Sequence, residues 1–315
     1  MDNTQLLRDV AVLYYEDNMT QAEIAKRFNF SRPKVSRILS EAREKGVVKI
    51  FISNQKVDTS YLEERLKELY SLKAVKVVSV PPGDEELALQ ITAIEAAKFI
   101  HGFLEPNDCI GVSWGVTLNE ISKNLPSIPL SNVKIVQLSG NLDNADTLNY
   151  ANDIVNRFAS KLDAKAVYTI PCPIIVGNSI ILDILLHDEK ICNIMNLASS
   201  CNKMIVNLGV PLERNCLYRC GYLNDNDLKG LREKNVVGSI CCRFYDEKGN
   251  ICDEQLDGRT MGISLEAMKK ADCVISCVVG KHKAEALLGA LSAGFLNVLI
   301  VDSITALQVL DLSVQ

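Results

Sequence analysis

From Leu7 to Ala42 the apolar residues recur at the spacing of helices. Leu7, Val10, Ala11, Leu13 and Tyr14 make one face of a first helix, which Thr4 can cap and which ends near Asp17 and Asn18. Thr20-Gln21-Ala22-Glu23 is a capping box: the hydroxyl and the carboxylate satisfy each other's free amides, opening a short helix that turns Ile24, Ala25 and Phe28 inward. After Phe28-Asn29-Phe30, Ser31 caps a third helix with Pro33 in its first turn, where the missing amide costs nothing. That helix buries Val35, Ile38, Leu39 and Ala42. Gly46 ends it, and Gly46-Val47-Val48-Lys49-Ile50-Phe51-Ile52 alternates like a strand. The pattern predicts a winged helix-turn-helix over residues 1–56.

The remainder, residues 57–315, has a different rhythm. Thr59 to Tyr70 is amphipathic, with Leu62, Leu66 and Leu69 on one face, a connector, a dimer contact or ordinary core. Strand-like and helix-like runs then alternate: Ala74 to Val80, Glu85 to Phe103; Asp108 to Ser113, Thr117 to Leu125; Val133 to Leu138, Leu148 to Lys161; Ala166 to Ile170. Later come Met204 to Leu208, Cys273 to Val279 with Lys283 to Ala293, and Val298 to Val301 with Ile304 to Leu310. This alternation predicts an α/β domain, a mostly parallel sheet covered by helices, with any ligand beyond the carboxyl ends of the strands.

Charge separates the same two parts. The chain carries −5, yet ten Lys/Arg against seven Asp/Glu give residues 1–56 a charge of +3, leaving −8 for the rest. Between Lys26 and Lys49 eight bases face only Glu41 and Glu44. A basic segment on an acidic body fits a nucleic-acid-binding unit. On the third helix Arg32, Pro33, Lys34, Ser36 and Arg37 face outward near the end that enters the major groove in helix-turn-helix proteins, with Thr20, Gln21 and Ser31 at the helix starts. Arg32 and Arg37 can read a guanine edge in bidentate fashion, while lysine and hydroxyls more often hold phosphates. A basic helical face is also commonly just solvated.

No basic start with an apolar run opens the chain and no run of about eighteen apolar residues occurs, so a cytoplasmic protein is expected. The 11 cysteines sit mostly in apolar runs, as small hydrophobes. The Cys216 to Cys220 and Cys273 to Cys277 spacings are wider than paired metal ligands, and only His101, His187 and His282 supply imidazoles, so neither disulfide nor metal is expected.

Three strand ends carry candidate chemistry. In Cys109 to Leu118 a buried strand meets a small-residue turn and a helix, so amides near Gly111, Trp114 and Gly115 and the hydroxyls of Ser113 and Thr117 can surround an anion. Gln137-Leu138-Ser139-Gly140-Asn141 sets polar groups after a strand, where a tight turn fits equally. Lys281-His282-Lys283 gathers two ammonium groups at a helix start, fitting a phosphate or a solvated turn. Asp246 can take sugar hydroxyls and Arg259 a phosphate, although Asp-Glu-Lys-Gly-Asn is also an ordinary hairpin turn. Neither a dinucleotide fingerprint nor a triphosphate loop occurs, and no cofactor is expected. An enzymatic reading has only His282 and Asp246 to offer for proton transfer, and no catalytic residue is assigned.

At these residues the chain resembles, end to end, the SorC/DeoR-type sugar-binding transcriptional regulators, most nearly their deoxyribonucleoside regulator branch. The matching stretches are Tyr14-Tyr15, Ser31 to Arg37, Gly111 to Thr117, Val136 to Leu138, Gly238 to Asn250, Asp257 to Thr260 and Asn297 to Asp302. The resemblance implies a winged helix-turn-helix fused to a Rossmann-like effector domain of the sugar-phosphate isomerase-like type. It implies a repressor acting as a homodimer or homotetramer on palindromic operator DNA, with its grip changed by a sugar phosphate. The Gly111 to Thr117 loop, the turn after Leu138, Asp246, Arg259 and Lys283 would surround that effector. Two features depart from the family. Val279-Gly280-Lys281 replaces a pair of glycines, and Ser139 stands where some members have a lysine that could form an aldimine. A neutral sugar or polyol is the alternative effector.

Overall fold

In the computed structural model, which describes residues 3–48, 58–142, 150–211 and 215–314, the chain separates into two units, Met1–Lys56 and Val57–Gln315. The first holds α1 (Asn3–Tyr15), α2 (Gln21–Phe28) and α3 (Arg32–Glu44). Since α1 already runs from Asn3, Thr4 lies within it rather than capping it. The capping box forms as the sequence requires: the Glu23 amide donates to Thr20 Oγ1 at 3.3 Å and the Thr20 amide to Glu23 Oε2 at 2.8 Å. Asn29 then takes a left-handed φ of 56°, ending α2, and Ser31 Oγ accepts the Lys34 amide of α3 at 3.4 Å. Leu7, Val10, Ile24, Val35, Leu39 and Ala42 close a small core, each larger side chain worth roughly 1.5–3 kcal/mol of burial. Gly46 to Val48 form a turn and a bend without strand pairing, and the rest of the expected wing, Lys49 to Ile52, lies outside the described residues.

The second unit runs α4 (Thr59–Leu69), β1 (Ala74–Val78), α5 (Glu85–His101), β2 (Cys109–Val112), α6 (Val116–Asn124), β3 (Lys134–Gln137), α7 (Tyr150–Leu162) and β4 (Ala166–Tyr168). It continues with α8 (Ser179–Leu186), α9 (Glu189–Ser199), β5 (Lys203–Val206), β6 (Leu208–Gly209), α10 (Cys216–Arg219), α11 (Asp225–Glu233), β7 (Gly238–Ile240) and β8 (Arg243–Tyr245). The last elements are α12 (Glu254–Asp257), α13 (Leu265–Lys269), β9 (Cys273–Val278), α14 (Ala284–Ser292), β10 (Val298–Asp302) and α15 (Ser303–Leu312). Seven strands form one sheet in the order β1-β10-β9-β5-β2-β3-β4, every pair parallel. β9 and β10 are buried at every position, as continuous apolar strands must be when both faces are covered. Alternate residues feed opposite cores: Met204, Val206, Val274 and Val301 one face, Ile205, Ile275, Ile135 and Ile300 the other. Among the described residues no helix is long and apolar enough to cross a membrane.

Two features escape the pattern. α8 and α9 fill the stretch between Ile170 and Met204, where Ser179–Leu186 is apolar except at Ser179 and Asp183 and so shows only a weak helical period. β6, β7 and β8 form a second, antiparallel sheet of very short strands. The main sheet also fixes where a ligand belongs. From β2 the chain moves outward through β3 and β4, whereas β5 leads the other way to β9 and β10. The strands diverge between β2 and β5, so the crevice opens at their carboxyl ends.

Candidate functional site

At that crevice Ser113 follows β2 and Asn207 follows β5, and the Asn207 amide donates to Ser113 Oγ at 3.0 Å. A cavity of about 380 Å³ opens there, lined among others by Ser113, Trp114, Gly115, Thr117, Ser139, Asn207, His282 and Lys283. Gly115 is the N-cap of α6 at φ 148° and provides no side chain to cap it. A Cβ at this position would stand 2.4 Å from Asn207 Nδ2, so only glycine lets the loop approach β5. Trp114 Nε1, Ser139 Oγ and Asn207 Oδ1 are buried with no hydrogen-bond partner among the described residues. Buried polar atoms are normally paired, so three such atoms around one cavity make it the candidate site for a polar ligand.

Charge enters from one wall. Half-buried Lys283 precedes α14, and burial lowers its pKa, while Cys277, Glu85, Cys216 and Asp302 around it oppose the loss of its proton. An anion in the cavity would favour the charged form. His282 Nδ1 lies 2.8 Å from Glu85 Oε1, at the start of α5. The floor is the β7–β8 turn, where Cys241 and Cys242 both take positive φ, 50° and 63°. Burial pushes the Cys241 thiol up to about 12 and Cys242 well above its ordinary value, so both are neutral lining rather than nucleophiles.

The expected residues thus divide. Ser113, Trp114, Gly115, Thr117, Ser139 and Lys283 meet at the cavity. Gly111 lies inside β2 against Leu138, and Gly140 is pressed on the carbonyls of Cys172 and Pro173. Gln137 and Asn141 brace the loop instead: Gln137 Nε2 donates to Ser139 O at 2.7 Å and Asn141 Oδ1 at 2.9 Å, and Asn141 Nδ2 donates to Ile170 O. Asp246 is outside the cavity lining; its carboxylate accepts the amides of Lys248 and Asn250 in the hairpin turn after β8. Arg259 lines a separate cavity with Asn178, Asp227 and Glu254, while its neighbour Asp257 accepts from Arg243 Nη1 at 2.6 Å. Asn207 was not anticipated, although it follows an apolar strand just as Ser113 does.

In the first unit Arg32, Pro33, Lys34, Ser36 and Arg37 are exposed, as are Thr20 and Ser31, with Gln21 half-buried. Arg32, Ser36 and Arg37 share the side of α3 that Val35, Ile38 and Leu39 leave free. Lys34 Nζ rests 3.7 Å above the Phe30 ring.

A family model described as "Putative sugar-binding domain" matches residues 55–311, and one described as "Sigma-70, region 4" matches residues 4–45. The chain is 32% identical over 305 residues to the deoxyribonucleoside regulator of Bacillus subtilis, covering 97% of each. The crystal structure of the full-length sorbitol operon regulator SorC from Klebsiella pneumoniae superposes with a TM-score of 0.75 at 29% identity, over 98% of this chain and 99% of that one. A DeoR family transcriptional regulator from Listeria monocytogenes gives 0.75 at 27% identity over 80% of this chain and all of the other.

Proposed function

The chain belongs to the SorC/DeoR-type family of sugar-binding transcriptional regulators, and we propose that it represses a carbohydrate or nucleoside catabolic operon under the control of a phosphorylated sugar. The observation that carries this reading is the cavity at the β2–β5 crevice, with three unpartnered buried polar atoms and the Lys283 ammonium. Trp114, Ser139 and Asn207 take the sugar hydroxyls. Lys283 and the uncapped amides of α6 hold the phosphate, because desolvated donors at a helix start favour an anion. Ser139 has no amine, so it cannot hold an aldehyde sugar as an aldimine. In the first unit α3 enters the major groove, where Arg32 and Arg37 read bases while Lys34, Ser36, Ser31, Thr20 and Gln21 hold phosphates. Two such units match a palindrome, hence a homodimer or homotetramer acting in the cytoplasm. Asp246 lies away from His282 and the cavity, which weakens the only constellation an enzyme would use.

A thermal-shift screen of the purified protein against paired sugars and sugar phosphates tests the effector. A ligand at a hundred times its Kd stabilises by about 2.7 kcal/mol. The expected result is a rise in Tm with one phosphorylated pentose or hexose and none with its free sugar. Equal rises with both would assign the cavity to a neutral sugar or polyol and overturn the phosphate role of Lys283.

A further inference from the structure

The ends of β2 and β5 away from the cavity bring two thiols together. Cys109 opens β2, Cys201 precedes β5, and their sulfurs lie 3.6 Å apart. Asn202 fixes the arrangement: its Oδ1 accepts the Cys109 amide at 2.9 Å and its Nδ2 donates to Asp108 Oδ1 at 2.7 Å. The two cysteines are unequal. Cys201 is 2% exposed and its thiol reaches the Leu197 carbonyl at 3.5 Å, whereas Cys109 is only half-buried and is paired in register with Lys134 of β3. The contact with Cys201 brings the Cys109 thiol down to about 7, Lys134 adding to this while burial and Asp108 oppose it; the same contact and burial push Cys201 up.

We propose that Cys109 and Cys201 are a redox modification site, converted by a peroxide into a reversible disulfide between β2 and the segment entering β5. The Cys109 thiolate attacks one peroxide oxygen, the O–O bond breaks, and hydroxide leaves, giving a sulfenic acid on Cys109. The Cys201 sulfur then attacks the Cys109 sulfur; the S–O bond breaks and water departs with the Cys201 proton. Two thiols are oxidised to one disulfide while hydrogen peroxide is reduced to two waters, and a small dithiol reverses the change. The bond would tie the same two strands whose other ends hold Ser113 and Asn207.

Treating the reduced, full-length chain with an equivalent of hydrogen peroxide, blocking free thiols and mapping peptides by mass tests this. The expected product is a Cys109–Cys201 linked peptide that dithiothreitol releases. Before oxidation Cys109 should alkylate at least tenfold faster at neutral pH than Cys252, a partly buried thiol that burial pushes up to about 11. Cys201→Ser should stop at a sulfenic acid on Cys109 that dimedone traps. The proposal is overturned if Cys109 and Cys201 are recovered as free thiols while Cys192 or Cys220 is oxidised, or if Cys109 proceeds to sulfinic acid in the wild-type chain without the link.

Discussion

In the proposed function Lys283 is the residue on which the effector chemistry turns, and burial works against its charge. Its folded-state pKa lies below the unfolded lysine value of about 10.4. Between the two values the unfolded chain binds the extra proton, so stability rises with pH across that window, and below the folded pKa the cost of the half-buried ammonium is present in full. Lys283→Met, which keeps the apolar stem, should therefore be more stable than the parent at neutral pH, by a difference that narrows as pH approaches the unfolded value. Denaturant melts at neutral and alkaline pH read this directly. The same variant should lose about ten- to a hundredfold in affinity for the sugar phosphate, the worth of a charge-assisted hydrogen bond of about 1.5–3 kcal/mol, and little for the free sugar. A variant that still prefers the phosphate would place the anion elsewhere.

At the scale of elements, α3 joins two tasks in a single turn pattern: Val35, Ile38, Leu39 and Ala42 hold it to α1 and α2 while Arg32, Ser36 and Arg37 stay free. Arg37→Ala should cost about 1–3 kcal/mol on a selected operator and relax preference at one base pair. Lys34→Ala should weaken all duplexes alike and lower the salt slope by about one. If both variants weaken every sequence equally, α3 does not read bases. These helices were legible because their caps and apolar spacing are local. So were the parallel strands, each a short apolar run ending at a polar turn, and Ser113, Ser139 and Lys283 were found by that rule. Asn207 was missed because the apolar residues on either side of it, Met204 to Val206 and Leu208, read as one strand-like run in the sequence although they belong to β5 and β6. The order of the strands, and with it the β2–β5 crevice, depends on pairings between residues far apart in the chain, which no local period encodes. Asp246 and Arg259 suggested sugar and phosphate contacts by residue type and again by resemblance, but residue type does not show that Asp246 is occupied by the Lys248 and Asn250 amides of its hairpin or that Arg259 lines the second cavity.

For the whole molecule, the +3 of residues 1–56 against the −8 of the remainder confines DNA attraction to the first unit. In the proposed function the acidic unit acts on DNA through the effector it holds. Gating requires that the effector bind the DNA-competent and DNA-incompetent states with different affinity, and the resulting coupling is reciprocal. An effector that weakens operator binding tenfold, about 1.4 kcal/mol, must itself bind tenfold more weakly to the operator complex. Measuring effector affinity by titration calorimetry with and without a saturating operator duplex, at fixed salt, gives this ratio without any assumption about the oligomer. A ratio well above one establishes release by the effector, and a ratio well below one establishes a regulator that grips DNA more tightly when loaded. A ratio of one with both ligands bound would leave the two units uncoupled and remove the gating from the proposed function, whatever sugar the cavity prefers.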